Sequence, residues 1–325
     1  QLTSKCSRRK KRAADLGVIT AQSSNRLGYL ESACLSVRRR KTMKSILITG
    51  SSTGIGKACA LHLDKLGFRV FAGVRKAEDG DALRSEASDA LQPIILDVTE
   101  TDTIQAAVDL ISRESENPLY GLVNNAGVGI SGVLEATPEA KLRELLEVNV
   151  IGLHAVTRAC LPMLREQAGR IVNIGSSASF LAGPGVSSYA ASKFAVRAIS
   201  DSLRLELQPF GVCVSLVAPG AIESDIWEKA KAYKAELRKS VAPELLEAYK
   251  LFITAGDRMV DTIQPVPALE VAKAVEHGLT SARPRHVYLV GKDCRRAHGL
   301  SKLPRGLQNW LLTKHITKLA ESSKQ

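Results

Sequence analysis

SILITGSSTGIGK, residues 45–57, passes from an apolar run through a glycine-rich turn into a helical pattern. Ser45–Thr49 predicts a short buried strand and Lys57–Leu66 a helix. Between them lies Gly50-Ser-Ser-Thr-Gly54-Ile-Gly56. A strand, a glycine turn and a helix start make an anion site, because the first-turn N–H groups lack helical partners and the helix dipole favours negative charge there. Glycine also lets the main chain approach a pyrophosphate closely. The spacing is Gly-x3-Gly-x-Gly rather than the commoner G-x-G-x-x-G.

Outward from this unit the alternation continues. Further strands are predicted at Arg69–Val74, Pro93–Val98, Tyr120–Asn124, Ile171–Ile174, Val212–Val217 and His286–Val290. Helices are predicted at Thr101–Glu116 with a Thr or Asp cap, at Glu139–Leu164 with an interruption near Asn149 and Gly152, from Tyr189 to about Pro209, and at Ala268–Leu279. Strands alternating with helices imply an α/β fold whose parallel sheet is covered on both faces. Residues 221–265, with helical pieces at Ile226–Leu237 and Pro243–Leu251, are too long for a plain connection and read as a substrate-binding lid. The tail, 293–325, spaces Leu307, Trp310, Leu311, Leu312, Ile316 and Leu319 as an amphipathic helix. Packing on the body or a partner subunit is its commoner meaning, and contact with a membrane surface the rarer one.

Chemistry gathers at the strand ends. Arg75 follows the second strand, where a carboxylate would bind an adenosine ribose; an arginine there suits a 2′-phosphate and points to NADP(H) over NAD(H). Asn124-Asn125-Ala126-Gly127 ends the fourth strand, where ligands bind in open parallel sheets. Asn149 is costly in mid-helix unless it serves a purpose, the plainer reading being a kink satisfied locally. Tyr189 and Lys193, four residues apart, share one helix face. A free phenol has a pKa near ~10 and is a poor proton shuttle at neutral pH. A nearby ammonium is expected to pull it down. Ser176, thirteen residues earlier, can return a hydroxyl to the same place. Tyr, Lys and Ser together suit proton transfer at an oxygen.

Composition narrows the classes. The chain has 325 residues, 45% hydrophobic and 24% charged, enough to bury a large core. No apolar run is long enough to span a membrane. Its six cysteines are scattered without a CxxC pair or a Cys/His cluster, which argues against a metal site and for a reducing compartment, read here as the cytoplasm. The net charge of +12 is concentrated: residues 1–43 carry eleven Lys and Arg against two acids, leaving +3 over the rest. The body therefore offers no basic face for nucleic acid. The leader fits a basic arm, a transit peptide or an upstream extension preceding Met43; we favour the extension.

These motifs together resemble the short-chain dehydrogenase/reductase family over roughly residues 44–292. The resemblance rests on TGSSTGIG (49–56), Asp97, NNAG (124–127), Asn149, Ser176, Tyr189-x3-Lys193 and Pro219-Gly220, in order. It implies a single Rossmann-type doubly wound domain with a seven-stranded sheet and a C-terminal helical extension. It also implies that Gly50, Gly54 and Gly56 hold the pyrophosphate, that Asp97 and Val98 contact adenine, that Asn124 and Ala126 line the ribose side, and that Ser52, Thr53, Ile55 and Gly127 also bind the cofactor. Pro219, Gly220, Ile222 and Ser224 would bind the cofactor, with Ser224, in place of the usual Thr, at the carboxamide. Tyr189 would be the acid/base, Lys193 its modulator and a ribose ligand, Ser176 the polariser of the substrate oxygen, and Asn149 the support of a water relay. SSYAASKFAV, Asp201–Leu207 and the long tail look like the retinol and 17β-hydroxysteroid dehydrogenase branch, which acts on apolar alcohols and carbonyls as homodimers or homotetramers. The rivals are a 3-oxoacyl-thioester reductase and, of another class, a non-catalytic dinucleotide sensor.

Overall fold

A computed structural model of the chain describes residues 43–114, 116–223, 235–239, 241–262 and 264–321. Its first half comprises β1 (Ser45–Ile48), α1 (Gly54–Lys65), β2 (Arg69–Val74), α2 (Ala77–Arg84), β3 (Leu91–Ile95), α3 (Thr101–Ser112) and β4 (Leu119–Asn124). Then come α4 (Glu139–Leu146), a π-helical turn (Glu147–Gly152), α5 (Leu153–Glu166), β5 (Arg170–Ile174), α6 (Ser187–Glu206) and β6 (Cys213–Pro219). The chain closes with α7 (Pro243–Ala248), α8 (Lys250–Thr262), α9 (Ala268–Thr280), β7 (Val287–Val290), α10 (Lys292–Leu300) and α11 (Arg305–Glu321).

The seven strands form one sheet in the order β3-β2-β1-β4-β5-β6-β7, every pair parallel. Strand period two divides the core. Ile46 and Ile48 join Cys59 and Leu63 of α1 with Val271 and Val275 of α9 on one face. Leu47 joins Ile104 and Ile111 of α3 with Val156 and Leu164 of α5 on the other. A sheet buried on both faces needs apolar side chains at consecutive positions, which is why β1 is apolar without alternation. Because all strands run the same way, their carboxyl ends share one edge, and the order reverses between β1 and β4, where such sheets bind ligands.

Several boundaries move for identifiable reasons. The strand expected over Pro93–Val98 ends at Ile95; Leu96 N–H still donates to Val74 O, and the ladder stops at Asp97, whose N–H donates to Thr103 Oγ1 at 3.0 Å while that hydroxyl donates to Asp97 O at 2.8 Å. This use of Thr103 also replaces the side-chain cap expected on α3. The helix over 139–164 divides at the π turn, a form that often marks functional positions. The tail forms two helices, and α11 does not bury one apolar stripe: Gln308 and Ile316 are buried, while Leu307 and Trp310 face outward. Gln308 Nε2 donates to Leu300 O at 3.0 Å, closing the end of α10. Of the expected lid, the piece Ile226–Leu237 lies mostly outside the described residues, as do residues 1–42. Among the described residues no helix is long and apolar enough to cross a membrane.

Candidate active site

The loop between β1 and α1 is held by its neighbours at the switch point. Gly50 (φ +67) and Gly54 (φ +56) occupy the left-handed region, which only glycine enters cheaply. A Cβ on Gly56 would fall on the Gly50 carbonyl oxygen. Thr49 Oγ1 accepts from the N–H groups of Asn125 and Ala126 at 3.0 and 2.9 Å. Asn125 Nδ2 in turn donates to Thr49 O and Gly50 O at 3.0 and 2.8 Å. No side chain caps α1, and its first turn holds no acid. Ser52, Thr53 and Ile55 thus stand around an uncapped helix start with main-chain donors free for an anion. A pyrophosphate fits this cradle.

Arg75 is exposed at the end of β2, as is Lys76 beside it. Asp97 uses Oδ1 to accept from Thr99 N–H and Oγ1 at 3.0 and 2.8 Å, which fixes its carboxylate at the strand edge. Val98 is buried, and the π turn closes on it because a Cβ on Gly152 would come within 2.6 Å of its side chain.

Ser176, Tyr189 and Lys193 meet across the end of β5. Ser176 is a buried helix-capping serine whose Oγ accepts from Ala178 N–H at 3.2 Å. It is Ser176, not the adjacent Ser177, whose hydroxyl bonds the Tyr189 phenol. Burial raises the phenol's pKa above the usual tyrosine range, and the Ser176 hydrogen bond pulls it partly back. Lys193 is 6% exposed. Burial lowers its ammonium from 10.5 to about 8. Its Nζ donates to Ile174 O at 3.0 Å and lies 5.8 Å from the Tyr189 ring centroid. This corrects one expectation: with the ammonium turned to Ile174, burial outweighs any pull from Lys193, and the phenol rests protonated at neutral pH.

Of the two asparagines, Asn124 departs from the expectation. Asn149, in the π turn, is buried and bonds across the site: its Oδ1 accepts from Val128 N–H at 2.8 Å, and its Nδ2 donates to Val128 O and Ser192 Oγ at 2.9 and 3.1 Å. It is no local kink, and its amide ties the Gly127–Val128 chain to α6. Asn124 directs its amide into the sheet, donating to Thr157 Oγ1 and Asn173 Oδ1, both at 2.8 Å. Its side chain therefore does not line the ribose side; Ala126 and Gly127 remain at the open edge, and Asn125, singled out by no spacing rule, is the residue that grips the glycine loop. After β6, Gly220 N–H donates to Val290 O at 2.9 Å, and buried Ile222 pairs with Val266. Ser224 lies outside the described residues.

Residues 44–235 match the short chain dehydrogenase family. The chain is 38% identical over 288 residues to 17-beta-hydroxysteroid dehydrogenase type 6 of Bos taurus, covering 86% of this chain and 90% of that protein. It is 35% identical over 262 residues to retinol dehydrogenase 7 of Mus musculus, covering 78% and 82%. The crystal structure of a short-chain dehydrogenase from Streptomyces avermitilis superposes with a TM-score of 0.68 at 27% identity, covering 88% of this chain and all of that one.

Proposed function

The chain belongs to the short-chain dehydrogenase/reductase family, and from that premise we propose that it interconverts an apolar alcohol and its ketone or aldehyde with NADP(H). It is an NAD(P)-dependent oxidoreductase acting on CH–OH groups. The observation that carries the reading is the meeting of Ser176, Tyr189 and Lys193 on the same sheet edge as the uncapped glycine loop. When bound, NAD(P)(H) supplies or accepts the hydride at the reacting carbon.

The chain's own residues handle the oxygen. The Tyr189 phenol gives its proton to a carbonyl oxygen in reduction and takes one from a hydroxyl in oxidation. Ser176 offers a second hydrogen bond to that oxygen, where charge develops. Asn149 holds Val128 and Ser192, and through them the walls around Lys193. Because the phenol rests protonated, reduction starts from the resting state, whereas oxidation first requires proton loss. Oxidation therefore speeds up as pH rises.

Arg75, with Lys76 beside it, supports the preference for a 2′-phosphate. An apolar substrate is supported by the names of the relatives. Ile151 and Leu205, 52% and 72% exposed on the π turn and α6, support a homodimer or homotetramer built on those helices. Exposed Leu307 and Trp310, with Lys314 over the Trp310 ring, support a weak membrane-surface contact through α11. Four described cysteines are free thiols, in keeping with a cytoplasmic setting.

The experiment is steady-state turnover of the purified chain on a hydroxysteroid, retinol and an acyl-thioester ketone, with each cofactor in both directions. The proposal expects the apolar alcohols and their carbonyls to turn over best, with NADP(H). Preference for the acyl thioester would make it a 3-oxoacyl-thioester reductase. Cofactor binding without turnover would make it a sensor.

A further inference from the structure

We propose that Asp293 is a positioning residue for the nicotinamide end of the cofactor, acting through the loop Pro219–Ile222; the proposal rests on the reading of that loop as cofactor-binding. Asp293 sits in the first turn of α10, beyond the segment 44–235 that carries the family match. Its Oδ2 accepts from Ala221 N–H at 2.7 Å. The same carboxylate occupies the space beside Gly220, where a Cβ would fall on it, and its Oδ1 lies 2.5 Å from where a Cβ on Gly291 would stand. Gly291 has φ +95. The carboxylate is thus seated between two glycines, and Gly220 owes its lack of a side chain to Asp293.

That arrangement assigns the acid a task. A glycine is the most mobile link in a loop, and Gly220 stands where β6 turns into the site. Its own N–H is held by Val290 O, and the next peptide is held by the Asp293 carboxylate. Together these ties fix both peptides flanking Gly220. A hydrogen bond to an ionised acceptor is stronger than a neutral one, so Asp293 restrains the loop without a bulky contact. The helix that carries it is docked independently: Cys294 Sγ donates to Ala218 O at 3.1 Å. His298 stands edge-on to Phe180, ring centroids 4.6 Å apart, at the end of the Ser176 turn. Asp293 itself is exposed. Removing its carboxylate frees the loop while leaving α10 in place.

The test compares wild type, Asp293→Ala and Asp293→Asn in the full chain, measuring affinity for NADPH and for 2′,5′-ADP, which lacks the nicotinamide half, along with thermal midpoints. Wild type is measured first and should bind NADPH more tightly than 2′,5′-ADP. In Asp293→Ala, NADPH affinity should fall about tenfold, the worth of one charge-assisted hydrogen bond. Affinity for 2′,5′-ADP and the thermal midpoint should stay near wild type. Asp293→Asn keeps an acceptor oxygen and should recover most of the NADPH affinity. Equal losses for both ligands, or no loss for either, would overturn the role of Asp293. Wild type binding the two ligands equally would overturn the nicotinamide reading of the loop and, with it, this proposal.

Discussion

The cofactor edge of this molecule and the side proposed to take the substrate are built on different principles. At the cofactor edge, buried main chain and side chains lock together: Thr49 with Asn125 and Ala126, Asn149 with Val128 and Ser192, Lys193 with Ile174. On the substrate side, segments are joined by exposed polar pairs: Arg238 Nη2 donates to the Asp257 carboxylate at 2.7 and 2.9 Å, and the Tyr249 hydroxyl to Glu135 at 2.9 Å. Exposed pairs contribute little stability. One edge must hold a fixed ligand in a fixed pose; the other is free to vary with the substrate.

The comparison breaks first at Lys193. Lys193→Met should lower kcat by about a hundredfold or more, because the proposed ribose ligand is lost and the cofactor shifts against the phenol. It should also change stability in a pH-dependent way. The lysine's pKa is about 8 when folded against 10.5 when free. Between those values the unfolded chain binds more protons, so wild-type stability rises with pH across that window. At pH 7 the variant escapes a burial penalty of roughly 3 kcal/mol, less the lost bond to Ile174. Its thermal midpoint should therefore exceed that of wild type at pH 7, and the gap should close towards pH 10. Parallel midpoint curves would contradict this.

Arg75→Ala tests the open end of the same edge. The KM for NADPH should rise about tenfold, with that for NADH within about twofold, since only the 2′-phosphate loses a partner. Equal effects would reduce Arg75 to a surface residue. The smallest change belongs to the substrate side. Tyr249→Phe removes the bond to Glu135 and should shift the KM of a bulky substrate by about two- to threefold while leaving cofactor affinity and the thermal midpoint alone. A collapse in cofactor affinity would join the two regions that the comparison separates.

What could be read from the sequence follows the same division. Tyr189, Lys193 and Ser176 are neighbours along the chain, and a helix turn and a strand end bring them together. The glycine loop is likewise local. Asn125 stands in a visible motif, yet its bond to Thr49 spans 76 residues, and that of Asp293 to Ala221 spans 72. Contacts of that range depend on strand order, which no local spacing encodes. Asn124 is not legible because a strand end looks the same in sequence whether its side chain turns to the ligand edge or into the sheet, where Thr157 and Asn173 receive it. The α11 stripe failed because Gln308 took a buried position that apolar periodicity reserves for leucine. A shared helix face leaves open where the Lys193 ammonium points, and here it turns to Ile174.

The most direct measurement is carbonyl reduction by Tyr189→Phe, with NADPH affinity determined on the same preparation. The phenol is the proposed proton donor, and the glycine loop lies elsewhere on the edge. Turnover should therefore fall by about a thousandfold, within the range for a lost general acid, while NADPH affinity stays near wild type. Turnover surviving within about tenfold would contradict the assignment of Tyr189 and the oxidoreductase mechanism built on it.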